Sequence, residues 1–505
     1  MVEAKPPNAF GNKLQSRSGG ADRLLLTNAS LINDPRNTVL VEDGKIKSIG
    51  YSRDYHTIKT NSANLTIIDL HNNWLLPGFI DSHIHIVEAG LAENELDLSR
   101  ATTIDEILSI ISNNLKSRGD SDHRTIRPSD HIVKARGFSP HRLKEQRYPT
   151  LMELNKISSN IGIIIRREDF HSGVFNSKAM EILNINSDIG ILKDRIYETA
   201  QKRLRKLITV QEYKDACFKI DELAVRNGVT TITGIFKDIE EYNAFLEIQD
   251  KLQITIIPFI QTVEVERIKE LGLPRIGGCL LIDGSVSSGT AAFFEPYQDE
   301  PENSGTLYWK DDELLKFINL CQGLEAMPLQ IAMHAIGDKA VHQLASAYSK
   351  IHKNRHLIEH GELIRDEDFR IIKQNELIIS AQPSFETYFA EVYEQKLGKK
   401  RALRMNPFRK IIDNGIHLAF GSDAPITPID PIKGIESAIN HPNPALRITR
   451  EEAIRCFTYE GAYTYFLENE VGSIKEGLNA DLISLSADFS SVNLVIKQGK
   501  LIFNT

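Results

Sequence analysis

Leu75-Leu-Pro-Gly-Phe-Ile-Asp-Ser-His-Ile-His85 decides how this chain is read. An apolar run, Leu75–Ile80, leads into the polar residues Asp81, His83 and His85. The run reads as a buried strand, with Pro77 and Gly78 at its entrance. Residues i and i+2 of a strand face the same way, so His83 and His85 project together. Two imidazoles aimed at one point from the end of a buried strand suggest a metal site. A lone His-x-His also arises by chance, so the rest of the chain has to supply further ligands at matching places.

Working outward, strand-like runs begin to alternate with helical segments from about residue 216. The strands are read at 228–235, 254–260, 277–284, 328–334, 356–360, 377–383 and 417–423. Helical spacing at 213–226, 312–322, 338–348 and 366–374 falls between them. With the opening strand the series numbers eight, which predicts a parallel sheet and favours a closed (β/α)8 TIM barrel. In such a barrel the C-terminal ends of the strands build the site. His334 and His360 end the fifth and sixth strands, and Asp423 ends the eighth. Any one of these could cap a helix or bind a backbone group; together with His83 and His85 they fall on one rim. Neutral imidazoles hold Zn²⁺ without neutralising it, so a bound water still acidifies toward a pKa of ~7. A carboxylate beside that water can take its proton and pass it to a leaving group.

The flanking segments have a different texture. Residues 22–70 are short strand-like runs with a hairpin signal at Glu42-Asp-Gly-Lys45, and the last 35 residues repeat this pattern. Each end is too small for its own core, so 22–74 and 470–505 are expected to complete one composite β-sandwich domain, with 75–89 and 216–469 forming the barrel. Residues 90–215 read as an inserted α+β segment over the barrel mouth, charged and helix-like, with a loop-like stretch at 117–130. Residues 1–21 are polar and read as a disordered arm or a cloning remnant.

A net charge of −8 with no basic block argues against nucleic-acid binding. Apolar runs far short of the ~20 residues needed to span a bilayer argue against a membrane protein. The four scattered cysteines form no disulfide pattern, so a cytoplasmic location is expected.

The chain resembles the amidohydrolase superfamily, within it the YtcJ-like, N-substituted-formamide-deformylase-like branch. The matching elements are Pro77-Gly-Phe-Ile-Asp-Ser-His-Ile-His85, Phe170-His-Ser-Gly-Val-Phe-Asn-Ser-Lys-Ala179, Asp283-Gly-Ser-Val-Ser-Ser-Gly-Thr-Ala291, His334-Ala-Ile-Gly-Asp338, Ile358-Glu-His360, Gly421-Ser-Asp-Ala-Pro425 and Gly472–Leu482. The resemblance implies a metal-dependent hydrolase of an amide or related C–N bond in a small molecule, with a metal-activated hydroxide as nucleophile. It implies that His83, His85 and Asp423 hold a more buried metal, His334 and His360 a more exposed one, and that Asp423 is the catalytic proton shuttle. Zn²⁺, one or two per chain, is the expected ion, with another divalent metal as the alternative, and relatives suggest a homodimer.

The chain departs from that pattern at one place. Where close relatives carry a carboxylated lysine, four residues before Asp-Gly-Ser, this chain has Cys279. Cys279 is either a small buried core residue or a bridging thiolate, the solution of the D-aminoacylase-like amidohydrolases. The position and the affinity of thiolate for zinc place it among the ligands. His171, Asn176, Asp283 and Gln382 are candidate substrate contacts, Arg136 a candidate carboxylate partner and Asp338 a helix cap. A deaminase of the same superfamily is a second reading, disfavoured because His334 is followed by Ala-Ile-Gly rather than x-x-Glu. A non-catalytic metal-binding scaffold is a third, disfavoured because metal binding alone does not require a proton shuttle such as Asp423.

Overall fold

The computed structural model describes residues 23–55, 65–118, 131–167, 172–323 and 328–505. The arm read at 1–21 lies outside them.

The opening stretch is divided between two sheets. Trp74–Pro77 pairs antiparallel with Leu482–Leu485, whereas Phe79–Ile84 pairs parallel with Val229–Phe236. The single strand expected over 75–80 is therefore two strands, and residues 75–77 belong with the chain ends. Gly78 makes the transfer possible: a Cβ there would stand 2.2 Å from Thr230 Oγ1, so only glycine allows this approach.

Eight parallel strands follow the expected series: Phe79–Ile84, Val229–Phe236, Thr255–Ile260, Arg275–Leu281, Gln330–Ala335, Leu357–His360, Ile378–Ala381 and Leu418–Phe420. They pair in two ladders, one of the first three strands and one of the last five. Among the described residues no continuous ladder joins third to fourth or eighth to first. The eighth and first strands are tied instead just beyond the eighth. Asp423 N–H donates to His83 O at 2.8 Å, and His85 N–H donates to Ala424 O at 3.0 Å.

Strand residues alternate between two apolar clusters. Met333, Ile358 and Ile379 pack toward the helices, while Ala332, Leu357 and Ile378 join Phe259 and Tyr465 on the other face. Burial on both faces explains why these strands read as continuous apolar runs. The helices expected at 312–322, 338–348 and 366–374 occupy Asp311–Gln322, Asp338–Tyr348 and Asp366–Gln374, with acidic residues in each first turn.

The chain ends form two four-stranded sheets. One is ordered Lys45–Gly50, Thr38–Glu42, Arg23–Thr27, Leu65–Asp69. The other is ordered Lys500–Asn504, Val492–Lys497, Leu482–Leu485, Trp74–Pro77. Leu24, Val39 and Val41 of the first share a core with Leu75, Leu482 and Ile496 of the second.

Within 90–215 the helices are joined by a five-stranded sheet, ordered Ile191–Lys193, Ser172–Phe175, Gly162–Arg167, Ile132–Phe138, Leu96–Asp97. It has its own core, built on Ile107, Val133, Ile163 and Val174. Of the loop-like stretch expected at 117–130, Ser117 and Arg118 end helix Ile104–Arg118, and 119–130 lie outside the described residues.

Candidate active site

The C-terminal ends of the first and fifth strands, the ends of the sixth and the turn after the eighth converge on one cavity of about 290 Å³. His83 is buried in the last turn of its strand, and His85, just past the strand end, precedes helix Ile86–Ala92. His83 Nε2 and His85 Nε2 lie 3.3 and 3.4 Å from Asp423 Oδ1. Asp423 lies three residues beyond the end of the eighth strand, at φ 55°, so a turn rather than the strand aims its carboxylate. His360 ends the sixth strand at φ 72°. Its ring centroid is 5.2 Å from that of His83 and 4.4 Å from that of His334.

Cys279 reaches the same centre by a backbone irregularity. Gly277 and Gly278 have φ of 99° and 85°, and the pairing with the fifth strand shifts register between Gly277 and Leu280. The bulge re-aims the thiol into the site. A Cβ on Gly277 would stand 2.2 Å from Ala332 O, so the bulge needs glycine there. Cys279 Sγ then lies 4.0 Å from His334 Nδ1.

Two sets of side chains could share an ion, with their ligand atoms all within 4.8 Å: His83, Cys279 and His360, and His83, His85 and Asp423. His83 Nε2, Asp423 Oδ1 and both ring nitrogens of His360 are buried without a hydrogen-bond partner among the described residues. Buried polar atoms are rarely left so, and here they point at one another around a common centre. His334 is turned partly away: its Nε2 lies 3.2 Å from Gly284 O. Bringing it into the ligand set requires that contact to be exchanged.

The buried imidazoles, thiol and carboxylate of the site perturb one another strongly. Burial pulls His85 and His334 toward the neutral form, yet Asp423 and Cys279 raise His85 to about 10, and Cys279 raises His334 to about 9. Burial, with the His334 charge beside it, pulls His360 down to about 4. Burial pushes the Cys279 thiol up, but the surrounding imidazoles of His334, His360, His83 and His85 hold it well below its ordinary value. Burial likewise opposes ionisation of Asp423, and His83 and His85 overcome it. A divalent cation satisfies the same thiolate and carboxylate while leaving the imidazoles neutral.

Sequence reasoning missed Glu359. Its Oε2 lies 2.8 Å from His83 Nδ1, which fixes the ring and leaves Nε2 for the centre. A carboxylate in the middle of the apolar strand 356–360 was the available signal. Asp81, one of the opening polar trio, stays behind the site: Oδ1 accepts from His83 N at 3.2 Å and Ser422 N at 2.9 Å.

The expected substrate contacts fare differently. His171 lies outside the described residues. Asn176 is a cap rather than a cavity residue. Its Oδ1 accepts from Ile163 N and Ala179 N, and its Nδ2 donates to Ser158 O and Ile161 O, so its bonding capacity is spent on backbone. Asp283 accepts from the backbone N–H groups of Ala292, Ile336 and Gly337 and stands 3.6 Å from His334 Nε2; it positions rather than contacts. Gln382 donates to Ser380 O and does not line the cavity. Arg136 donates to Ala92 O, pairs with Glu93 at 3.2 Å and does not line this cavity. Asp338 begins its helix, and Oδ1 accepts from Phe294 N at 3.0 Å. No described residue of 90–215 lines the metal-site cavity; instead Asp97, Arg136 and Gly137 border a neighbouring one with Pro428 and Ile429.

The model of the amidohydrolase family matches residues 66–503. The putative amidohydrolase YtcJ of Bacillus subtilis is 27% identical over 500 residues, 90% of this chain and 92% of that protein. The N-substituted formamide deformylase of Arthrobacter pascens is 21% identical over 521 residues, 92% and 93% of the two chains. The crystal structure of an uncharacterized metal-dependent hydrolase from Pyrococcus furiosus superposes with a TM-score of 0.77 at 27% identity, covering 92% of this chain and 99% of that one. Four histidines, a bulge-borne cysteine and an aspartate gathered at the strand ends are thus set in a chain that belongs to the amidohydrolase family, in its YtcJ-like branch.

Proposed function

We propose that this protein is a metal-dependent hydrolase that cleaves an amide or related C–N bond of a small molecule. The observation that carries the reading is the set of unpartnered ligand atoms on His83, His360 and Asp423, converging with Cys279 and His85 in a buried cavity. Three imidazoles, a thiolate and a carboxylate around one centre suit Zn²⁺. His83, His85 and Asp423 would hold one ion; Cys279 and His360, with His334 after a small turn of its ring, would hold or share a second. When bound, the metal polarises the scissile carbonyl and acidifies the attacking water. Asp423, ionised and on the cavity lining, would accept the proton of that water and deliver it to the leaving nitrogen. Glu359 keeps His83 in one tautomer, and Phe385, stacked 5.9 Å from His360, helps to exclude bulk water.

We read the two parallel ladders as halves of one eight-stranded barrel, and the two terminal sheets as one β-sandwich domain. The alternating clusters on the strand faces and the shared core of the terminal sheets support this division. The deformylase among the relatives acts, by its name, on N-substituted formamides, so these are the first substrates to try.

The test is hydrolysis of a panel of N-substituted formamides by zinc-loaded and chelator-stripped protein. Turnover should follow metal content, and Asp423→Asn at saturating zinc should lower kcat by about 10²-fold or more. Full activity of the stripped protein overturns the metal-dependent reading. A zinc-containing chain inactive on every amide, and indifferent to Asp423→Asn, returns it to a scaffold.

A further inference from the structure

Helix Phe385–Leu397, after the seventh strand, lays Phe385, Phe389, Val392 and Tyr393 along one wall of the cavity. This is the i, i+4, i+7, i+8 stripe of a helix packed on one face. Glu362 lines the same cavity and is 2% exposed. Its Oε2 has no hydrogen-bond partner among the described residues. The Tyr393 hydroxyl, which faces Glu362, closes no well-formed hydrogen bond either.

Apart from the Tyr393 hydroxyl, the neighbouring polar groups are already engaged. Behind this wall Asn406 Nδ2 is committed to Glu386 at 2.7 Å, and His441 Nε2 lies 3.5 Å from the same carboxylate. The lysine on the cavity lining, Lys237, stands 3.6 Å from Glu88. A buried carboxylate oxygen left without a donor is costly, and an apolar residue at this position would avoid the cost. The neighbouring lining is already apolar, with Leu281, Val286, Ile336 and Ile426. An acceptor kept in an apolar cavity, within the same space as the metal ligands, fixes the orientation of a bound molecule.

We propose that Glu362, with Tyr393 beside it, is a specificity subsite that takes a hydrogen-bond-donating group of the substrate, an ammonium or a hydroxyl, carried on an otherwise apolar body. The inference rests on the hydrolase reading only in calling that molecule a substrate. Such a site rejects an analogue that lacks the donor more strongly than one that lacks a methylene, because the analogue leaves the buried acceptor unpaired.

The experiment uses zinc-loaded protein and alkyl hydroxamates, whose head group chelates metal, in matched sets ending in ammonium, hydroxyl or methyl over several chain lengths. Dissociation constants come from titration calorimetry. At the matching length one donor-terminated compound should bind about tenfold or more tighter than its methyl partner. The ammonium and hydroxyl arms identify which donor it is. In Glu362→Leu the donor-to-methyl ratio should fall to about one. In Glu362→Gln, which keeps an acceptor but no charge, an ammonium preference should shrink while a hydroxyl preference is largely kept. The ratio is taken within one protein, so a general loss of folded material cancels. Equal binding of donor and methyl compounds at every length, or a ratio unchanged in both variants, overturns the subsite. Donor-selective binding without turnover of any amide leaves the subsite standing and overturns the hydrolase reading instead.

Discussion

At the scale of single residues, Cys279 carries the most chemistry per atom. A cysteine in an apolar strand is ordinarily inert packing, and Cys217, Cys321 and Cys456 fit that description: burial pushes the first two thiols up to about 12 and the third well above its ordinary value. Cys279 is equally buried but is surrounded by four imidazoles, which reverse the direction. Cys279→Ala should therefore lower the zinc bound per chain, measured by elemental analysis after gel filtration, while replacement of Cys217 leaves it unchanged. An unchanged metal content and activity in Cys279→Ala would remove the thiol from the ligand set. His83 and His85 were legible because a strand repeats every two residues. Glu359 was not, since a partner brought from another strand has no fixed spacing in sequence.

At the scale of elements, apolar runs located all seven strands of the 216–469 series, and helical spacing located four of its helices. Two details escaped the pattern for physical reasons. Gly78 switches the chain between sheets within one apolar run, and Gly277-Gly278 insert a bulge that periodicity does not register. His356 illustrates how an element depends on a buried ring. At the base of the sixth strand it accepts from Ile331 N at 3.1 Å, stacks on Tyr348 and is pulled by burial down to about 4. Because the folded value lies below the ordinary one, the unfolded chain binds the proton first. The stability tied to neutral His356 is complete above about pH 6.5 and is lost as pH falls toward 4, amounting to at most about 3 kcal/mol. Thermal melts of His356→Gln should begin lower at pH 7.5 and fall less steeply on acidification; a wild-type slope retained in the variant would assign the acid sensitivity elsewhere.

At the scale of the whole molecule, groups contributed by strands far apart in sequence would make a bound metal a clamp on the fold. His83 and Asp423 are separated by most of the chain, and the first strand is joined to the turn beyond the eighth by backbone bonds such as Asp423 N to His83 O and by the Asp81 carboxylate on Ser422 N. Binding to the folded state alone stabilises by RT ln(1 + [L]/Kd), about 4 kcal/mol at a thousandfold excess over Kd. Chelation should accordingly lower the melting temperature, and added zinc should restore it; a melting temperature indifferent to both would exclude a tight site. No helix among the described residues is long and apolar enough to cross a membrane.

The sequence by itself determined the strand–helix alternation, the sheet-forming chain ends and the placing of His83, His85, His334 and His360 at or next to strand ends, because these follow from short-range periodicity. It could not determine that residues 90–215 build their own sheet, that their described residues stay off the histidine-lined cavity, that Asn176 spends its bonds on backbone, or that Glu359 and Glu362 stand where they do. Those follow from which surfaces meet once the chain is folded. The two histidines of the opening stretch were visible in eleven letters, but the carboxylate, thiol and glutamate that give them a chemistry are brought there only by tertiary packing.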